Sequence, residues 1–168
     1  MKSKNIVFIG MPYSGKSTLG KKLAKKFDYN FIDTDKYIEK KEGKKIIEIF
    51  KEDGERGFKR IEEKRILELK PKRCVIATGG SVILSPNIME HLKKNAVVIY
   101  LKMSYEELAR RASLAHIRGI VGLKELKSLK KVYGFREPLY EKYADKIIFQ
   151  KKNQKENIKA VIDTTKDL

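Results

Sequence analysis

Residues 10–18 read Gly10-Met11-Pro12-Tyr13-Ser14-Gly15-Lys16-Ser17-Thr18 and directly follow the apolar run Ile6-Val7-Phe8-Ile9. They fit the pattern G-x-x-x-x-G-K-[ST], in which successive backbone N–H groups of a loop converge into a concavity that binds anions. The residues after the loop have the apolar spacing of one helix face, and a helix N-terminus adds partial positive charge. A strand before the loop and a helix after it favour a phosphate-binding loop over a glycine-rich turn that fits by chance.

This loop predicts a nucleotide site with a metal ion. The ammonium group of Lys16 is expected to reach the β- and γ-phosphates, and the Ser17 hydroxyl group is expected to ligate the Mg²⁺ that bridges them. The loop residues that we expect to bind ATP are Gly10, Tyr13, Ser14, Gly15, Lys16, Ser17 and Thr18.

Five short apolar runs alternate with longer helical patterns, which is typical of a parallel sheet covered on both faces. The runs cover residues 6–9, 31–32, 74–77, 96–101 and 147–149. We therefore predict an α/β fold with three layers, in which helices flank a five-stranded parallel sheet. The length of 168 residues suits one domain over residues 1–168.

The helical patterns between these runs have two notable interruptions. A helix that contains Ile46 is expected to break at Asp53-Gly54, and a second helix is predicted over residues 55–69. Between residues 112 and 124 the pattern fades, and we expect a mobile lid there. A basic helix is predicted over residues 123–133.

The chain carries 39 Lys and Arg residues against 22 Asp and Glu residues, a formal net charge of +17 at pH 7. Such a charge suits a nucleic acid, an acidic membrane surface or small anionic substrates. The lysines are spread along the chain in short groups, without interleaved aromatic residues that could stack on bases. Solvated helix faces explain most of this charge, so we do not expect a nucleic-acid partner.

The sequence also indicates a compartment. Cys74 is the single cysteine and lies in an apolar run, which favours a buried thiol in a reducing environment. No apolar stretch has the length of a membrane span, and the start Met1-Lys2-Ser3-Lys4 does not resemble a signal sequence. We expect a cytoplasmic monomer without a membrane partner.

Two carboxylates follow the second apolar run, in the segment Asp33-Thr34-Asp35. Side chains at the carboxyl end of a strand in such a sheet face the ligand crevice. The interpretation with a functional role has Asp33 near Mg²⁺ and Asp35 near an acceptor hydroxyl group, as an orienting group or a base. A simple turn at the end of the strand is the alternative.

With these residues in place, the chain resembles the shikimate kinase family of small phosphate-loop kinases over nearly its whole length. Six blocks in the same order carry the resemblance: residues 10–18, residues 31–35, Gly54-Glu55 with Phe58 and residues 61–63, residues 77–80, Arg136 within residues 136–140, and residues 143–145. The resemblance implies a five-stranded parallel sheet, ATP with Mg²⁺, and transfer of the γ-phosphoryl group to the 3-hydroxyl of shikimate.

The resemblance also implies the acceptor site. Asp35 would contact the shikimate hydroxyl groups, Arg136 and a second arginine would hold the carboxylate, and the glycine-rich turn with Gly79 and Gly80 would support the ring. Lys59 stands at the position of the second arginine, and Arg60 would point about 100° away from it around the helix.

Further residues on the ATP side follow from the same resemblance. Arg111 would stack on adenine, with Lys152 in the loop on its other side. Arg118, in the predicted lid, would stabilise charge on the transferring phosphoryl group, so the expected catalytic residues are Lys16, Asp35 and Arg118. The alternatives are a solvated helix residue for Arg111 and an exposed loop arginine for Arg118.

Four positions depart from the family pattern: Tyr13 and Ser81 replace glycines, Lys59 replaces an arginine, and Gly119 replaces a proline. We expect Tyr13 to keep a negative φ. Because the departures concern the substrate and the lid, a kinase of another small hydroxy acid or polyol is an alternative function. A nucleotide-gated binding module without turnover is a further one.

Overall fold

The computed structural model of the protein describes residues 4–114, 120–151 and 153–165. Its strands and helices follow one another as β1 (Asn5–Ile9), α1 (Lys16–Phe27), β2 (Asn30–Asp33), α2 (Thr34–Glu42), α3 (Ile46–Leu67), β3 (Cys74–Ala77), α4 (Pro86–Lys93), β4 (Ala96–Lys102), α5 (Tyr105–Leu114), α6 (Leu123–Leu126), α7 (Leu129–Tyr143), β5 (Lys146–Phe149) and α8 (Gln154–Thr165). A 3₁₀ turn, Val82–Leu84, lies between β3 and α4.

The strands form one sheet in the order β2-β3-β1-β4-β5, and all four pairings are parallel. Phe8 in β1 lies opposite Ala77 in β3 and Ile99 in β4, while Asp33 in β2 also lies opposite Ala77. The loops that follow β1, β2 and β3 therefore leave the same edge of the sheet. The predicted α/β class with a five-stranded parallel sheet is confirmed.

Alternate residues of β1 face opposite sides of the sheet, as the pleat of a strand requires. Val7 and Ile9 belong to a core cluster that includes Ile66 of α3, Met89 of α4 and buried residues of α7. Ile6 and Phe8 belong to a second cluster that includes buried residues of α1 and α8. Since both faces are covered by helices, all five residues of β1 are buried.

The predicted interruption near Gly54 is present as a kink inside α3. Gly54 has φ 67 and ψ −174, which are not helical angles, and the helix continues on both sides of it. A φ of this sign is accessible to glycine at little cost. The kink divides α3 into the part that packs on α2 and the part that carries Phe58 toward the cavity described below.

The predicted basic helix over residues 123–133 is wrong in its bounds. α6 ends at Leu126, because Lys127 has a left-handed φ of 61 and the Ser128 hydroxyl caps a new helix by accepting from the Lys131 N–H at 3.1 Å. α7 then runs through Pro138 to Tyr143. Packing holds this helix beyond the proline, because its buried residues, Val132, Arg136 and Tyr140, are spaced four apart on one face.

The structure describes only part of the predicted lid over residues 112–124. Residues 112–114 end α5, residues 123 and 124 begin α6, and residues 115–119 lie outside the described residues.

Cys74 is buried in β3, and its thiol lies 3.3 Å from the Lys72 carbonyl oxygen. Among the described residues, no helix combines the length and apolar character that crossing a membrane would need.

The first strand predicts a stability effect. The buried Asn5 side chain donates to the Pro71 carbonyl oxygen and accepts from the Cys74 N–H, both at 3.0 Å. Asn5→Ala leaves both backbone groups without this partner and should lower the free energy of unfolding by about 1–3 kcal/mol. Urea unfolding measures this change, with Asn30→Ala, an exposed position in β2, as the matched control. Equal stability of the two variants would contradict the bridging role of Asn5.

Candidate active site

The phosphate-binding loop surrounds the Lys16 ammonium group. Its Nζ donates to the carbonyl oxygens of Gly10 at 2.9 Å and Met11 at 2.7 Å, and to Ser14 Oγ at 3.2 Å. Lys16 is buried, and the loss of hydration lowers its pKa to about 8, although Asp35 and Asp33 act in the opposite direction. The ammonium group of Lys16 is therefore buried within the loop, and it loses its proton at mildly alkaline pH.

Tyr13 has an unusual backbone conformation for a residue of its size. Its φ is 66, in the left-handed region, so the expected negative φ is wrong. This conformation costs a residue with a Cβ about 1–2 kcal/mol. Contacts offset part of that cost, because the half-buried ring packs on the main core cluster and the carbonyl oxygen accepts from Arg111 Nη1 at 3.3 Å.

The predicted metal ligands lie side by side. Ser17 Oγ donates to Asp33 Oδ2 at 2.6 Å, and both residues line the cavity. The other oxygen of Asp33 accepts from the Lys36 N–H at 3.3 Å, which caps the N-terminus of α2. The structural and functional interpretations of Asp33 are thus compatible, because each uses a different carboxylate oxygen.

A single cavity of about 760 Å³ brings most of the predicted site together. The predicted residues that line it are Tyr13, Gly15, Lys16, Ser17, Thr18, Asp33, Asp35, Gly79, Gly80, Arg111 and Arg136. Gly10 and Ser14 lie behind them and accept hydrogen bonds from Lys16. Arg118 and Lys152 lie outside the described residues.

Arg111 reaches the phosphate-binding loop from α5. Its Nε donates to Glu107 Oε1 at 2.8 Å, and its Nη1 would lie 3.6 Å from a Cβ placed on Gly15. The amide group of Gln150 would lie 3.7 Å from the same Cβ. Arg111 and Gln150 therefore flank the loop where a nucleotide would approach it, and Arg111 is half-buried rather than extended into solvent.

The cavity is also lined by a buried guanidinium group. Arg136 is 2% exposed, and it donates to the carbonyl oxygens of Gly80 at 3.0 Å and Val121 at 2.7 Å. Tyr140 Oη donates to the same Gly80 oxygen at 2.6 Å. Asp35 lies beside the turn, because a Cβ on Gly79 would be 2.7 Å from its Oδ1. A cation, a carboxylate and a glycine-rich turn thus converge next to the phosphate-binding loop, since a Cβ on Gly80 would lie 2.7 Å from Pro12 Cδ.

Lys59 and Arg60 are not brought into this cavity. Both side chains are exposed and line a separate shallow depression on α3 with Glu63, Lys64 and Leu67. The preceding residue, Phe58, faces the cavity instead. Of Lys59, Arg60 and Arg136, the three basic residues predicted to bind the acceptor, only Arg136 lines the cavity.

Sequence reasoning missed that Glu62 is buried beside the glycine-rich turn. Glu62 is 2% exposed, and burial raises the pKa of its carboxyl group to about 8. Its spacing of four from both Phe58 and Ile66 places it on the buried face of α3, and this spacing could have revealed it. Ile120 and Val121 were also missed as residues that line the cavity.

Comparisons with known proteins agree with this geometry. A family model described as shikimate kinase matches residues 12–166. A shikimate kinase from Clostridium botulinum (strain Kyoto / Type A2) is 44% identical over 167 residues, which cover 97% of this chain and 96% of the relative. A shikimate kinase from Caldanaerobacter subterraneus is 40% identical over 144 residues, which cover 84% of each chain.

Solved structures give the same result. A shikimate kinase from Acinetobacter baumannii in complex with shikimate superposes with a TM-score of 0.85 at 29% identity, covering 96% of this chain and 92% of the other. The sequence blocks and the fold both agree with one family. The chain belongs to the shikimate kinase family.

Proposed function

We propose that this protein transfers the γ-phosphoryl group of ATP to the 3-hydroxyl group of shikimate through the residues of the cavity described above. The observation that carries the proposal is the arrangement of that cavity. Lys16, Ser17, Asp35, Gly80 and Arg136 all line it, and Asp35 and Arg136 lie within electrostatic reach of Lys16. A phosphoryl donor and a small anionic acceptor can therefore meet in one cavity.

On the donor side, backbone N–H groups of the loop would bind the phosphates, and Lys16 would exchange its bonds to Gly10 and Met11 for phosphate oxygens. Ser17 and Asp33 fit Mg²⁺, because they offer adjacent oxygen atoms at the cavity wall. In the described part of the chain, no group of three or more His, Cys, Asp and Glu side chains could hold a metal ion. Two protein ligands supplemented by phosphates are typical of Mg²⁺, which when bound neutralises charge on the phosphates.

On the acceptor side, Arg136 would hold the shikimate carboxylate, and Asp35 would orient the 3-hydroxyl group or take its proton. The oxygen of that hydroxyl group forms the new bond to phosphorus as the bond from the γ-phosphorus to the leaving oxygen of ADP breaks. The similar shikimate kinase from Acinetobacter baumannii has been solved in complex with shikimate, which supports this assignment. Arg118 and Lys152 keep their proposed roles on the ATP side from the family resemblance.

We also propose that the enzyme acts as a cytoplasmic monomer. The single buried thiol of Cys74 suits a reducing compartment.

A coupled assay of ADP release tests the proposed reaction. Wild-type protein with Mg·ATP should release ADP in response to shikimate, and Lys16→Ala should lower kcat/KM at least about 100-fold, because one preorganised donor to the transferring group is lost. Turnover of another hydroxy acid in place of shikimate would favour the alternative kinase. Binding of ATP without turnover of any acceptor would favour a binding module.

The lowered pKa of Lys16 predicts a pH dependence of nucleotide binding. The pKa is about 8 without nucleotide, and bound phosphates should raise it because they stabilise the ammonium form. Above pH 8 the complex therefore holds a proton that the free protein has lost, and affinity for Mg·ADP should fall by up to about tenfold per pH unit. Calorimetric titration from pH 7 to 9.5 measures this. Lys16→Arg, which stays charged, should remove the decline, and a flat wild-type profile would contradict it.

Arg136 and Arg60 were both predicted to bind the acceptor, so their lysine variants can be compared directly. Arg136→Lys loses the planar fork and should raise the KM for shikimate about 10- to 100-fold. Arg60→Lys, in the separate depression, should change that KM less than about twofold. Steady-state kinetics at saturating ATP measure both, and equal effects would place Arg60 in the acceptor site. Thermal unfolding shows whether each variant remains folded.

A further inference from the structure

The glycine-rich turn at the acceptor end, residues 79–81, is held by side chains from three helices. The Gly79 N–H donates to Thr34 Oγ1 of α2 at 2.9 Å. The Gly80 carbonyl oxygen accepts from Arg136 and Tyr140 of α7. Ser81 Oγ lies 2.8 Å and 2.9 Å from the two carboxylate oxygens of Glu62 in α3. The reaction described above uses neither Ser81 nor Glu62.

Glu62 and Asp35 both approach the glycine-rich turn at Gly79. A Cβ placed on Gly79 would lie 3.0 Å from Glu62 Oε1 and 2.7 Å from Asp35 Oδ1. The two carboxyl groups therefore fill the space that a side chain at this position would need. Ser81 and Gly79 line the cavity. A change in the position of Glu62 would disturb the turn beside Asp35, because Glu62 is hydrogen-bonded to Ser81 and lies close to Gly79.

The next residue of α3 makes a similar link without reaching the cavity. Glu63 accepts from Ser85 Oγ and Asn87 Nδ2, each at 2.8 Å, on the protein surface. Both glutamates thus connect α3 to the segment after β3. They differ in burial, since Glu62 is 2% exposed whereas Glu63 is partly exposed. The exposed link between Glu63 and Ser85 is explained if it holds this segment to α3. The same explanation gives no reason for the carboxyl group of Glu62 to be buried next to Asp35.

Several charged groups surround Glu62. Burial and Asp35 of α2 raise the pKa of its carboxyl group to about 8, while Ser81, Arg136 of α7 and Lys59 of α3 lower it. The Tyr140 hydroxyl group of α7 also lies within its electrostatic reach. At neutral pH the carboxyl group is mostly neutral, so it adds little repulsion toward an anionic acceptor. At higher pH it becomes a second negative charge beside Asp35.

We propose that Ser81 and Glu62 are positioning residues for the acceptor: the hydrogen bond between them fixes the Gly79 and Gly80 backbone beside Asp35 and so sets the affinity for an anionic hydroxy acid. This inference rests on the proposed transfer of a phosphoryl group to shikimate. It predicts effects on acceptor binding that a purely structural pair would not have.

The first test is Ser81→Ala at pH 7 and saturating ATP. The KM for shikimate should rise about 3- to 10-fold, as for loss of one net hydrogen bond, while kcat changes less than about twofold. Ser85→Ala is the matched control, because it removes the neighbouring link to Glu63 and the cap of α4. It should lower the thermal unfolding midpoint but leave the KM for shikimate unchanged.

The second test measures the KM for shikimate as a function of pH. Its comparison of the wild type with Glu62→Gln remains possible if Ser81→Ala is poorly folded. In the wild type, the KM for shikimate should rise as the pH passes about 8, when Glu62 ionises. Glu62→Gln cannot ionise and should abolish this step. Ser81→Ala should move the step to higher pH, because the serine hydrogen bond lowers the pKa of Glu62. Saturating ATP keeps Lys16 charged through its contact with phosphates.

The outcomes separate this inference from the proposed function. Failure of the wild type to turn over shikimate would overturn both. Wild-type turnover, with Ser81→Ala matching Ser85→Ala in KM and Glu62→Gln keeping the pH step, would overturn the positioning role alone.

Discussion

The parallel pairing of β1 with both β3 and β4 is the constraint on which the site depends. Phe8 of β1 lies opposite Ala77 of β3 and Ile99 of β4. Ala77 also lies opposite Asp33 of β2, so β1, β2 and β3 end at the same level. Thr78 extends the pairing of β1 with β3, since its N–H and hydroxyl group both donate to the Phe8 carbonyl oxygen. The phosphate-binding loop, the Asp33–Asp35 segment and the glycine-rich turn meet for this reason, although they are far apart in sequence.

Burial shifts the pKa values of two ionisable groups, one in the phosphate-binding loop and one beside the glycine-rich turn. The ammonium group of Lys16 has its pKa lowered to about 8, and the carboxyl group of Glu62 has its pKa raised to about 8, because loss of hydration disfavours the charged form of each. The two shifts have opposite signs and meet near the same pH. Among the described residues, every buried side-chain nitrogen or oxygen has a hydrogen-bond partner. Hydrogen bonds therefore compensate the buried polar groups of the site. Removing Lys16 from water still costs free energy, and a bound anion would partly offset that cost.

Much of this arrangement could be predicted from the sequence, because it depends on local patterns. Apolar runs, loop glycines and carboxylates that follow a strand indicated the sheet, the nucleotide side and the positions of Asp33 and Asp35. Features that depend on packing could not be predicted in this way. The extent of α7 beyond Pro138 reflects burial of one helix face, and the φ of Tyr13 reflects contacts of its ring and carbonyl group. The same limit applies to Lys59, whose spacing gave no indication of the direction of its side chain.

Arg136 connects the glycine-rich turn to residues 120–122, which lie within the predicted lid. A guanidinium group has five N–H donors, and the bonds to Gly80 and Val121 require two. A carboxylate can therefore approach Arg136 without displacing either carbonyl group. The Val121 side chain packs with Ile38, Ile49 and Phe58, and the Gly122 N–H donates to Glu55 Oε2 at 2.9 Å. Residues 121 and 122 are thus held by α2, α3 and α7 together, and Arg136 is the side chain that joins them to the glycine-rich turn.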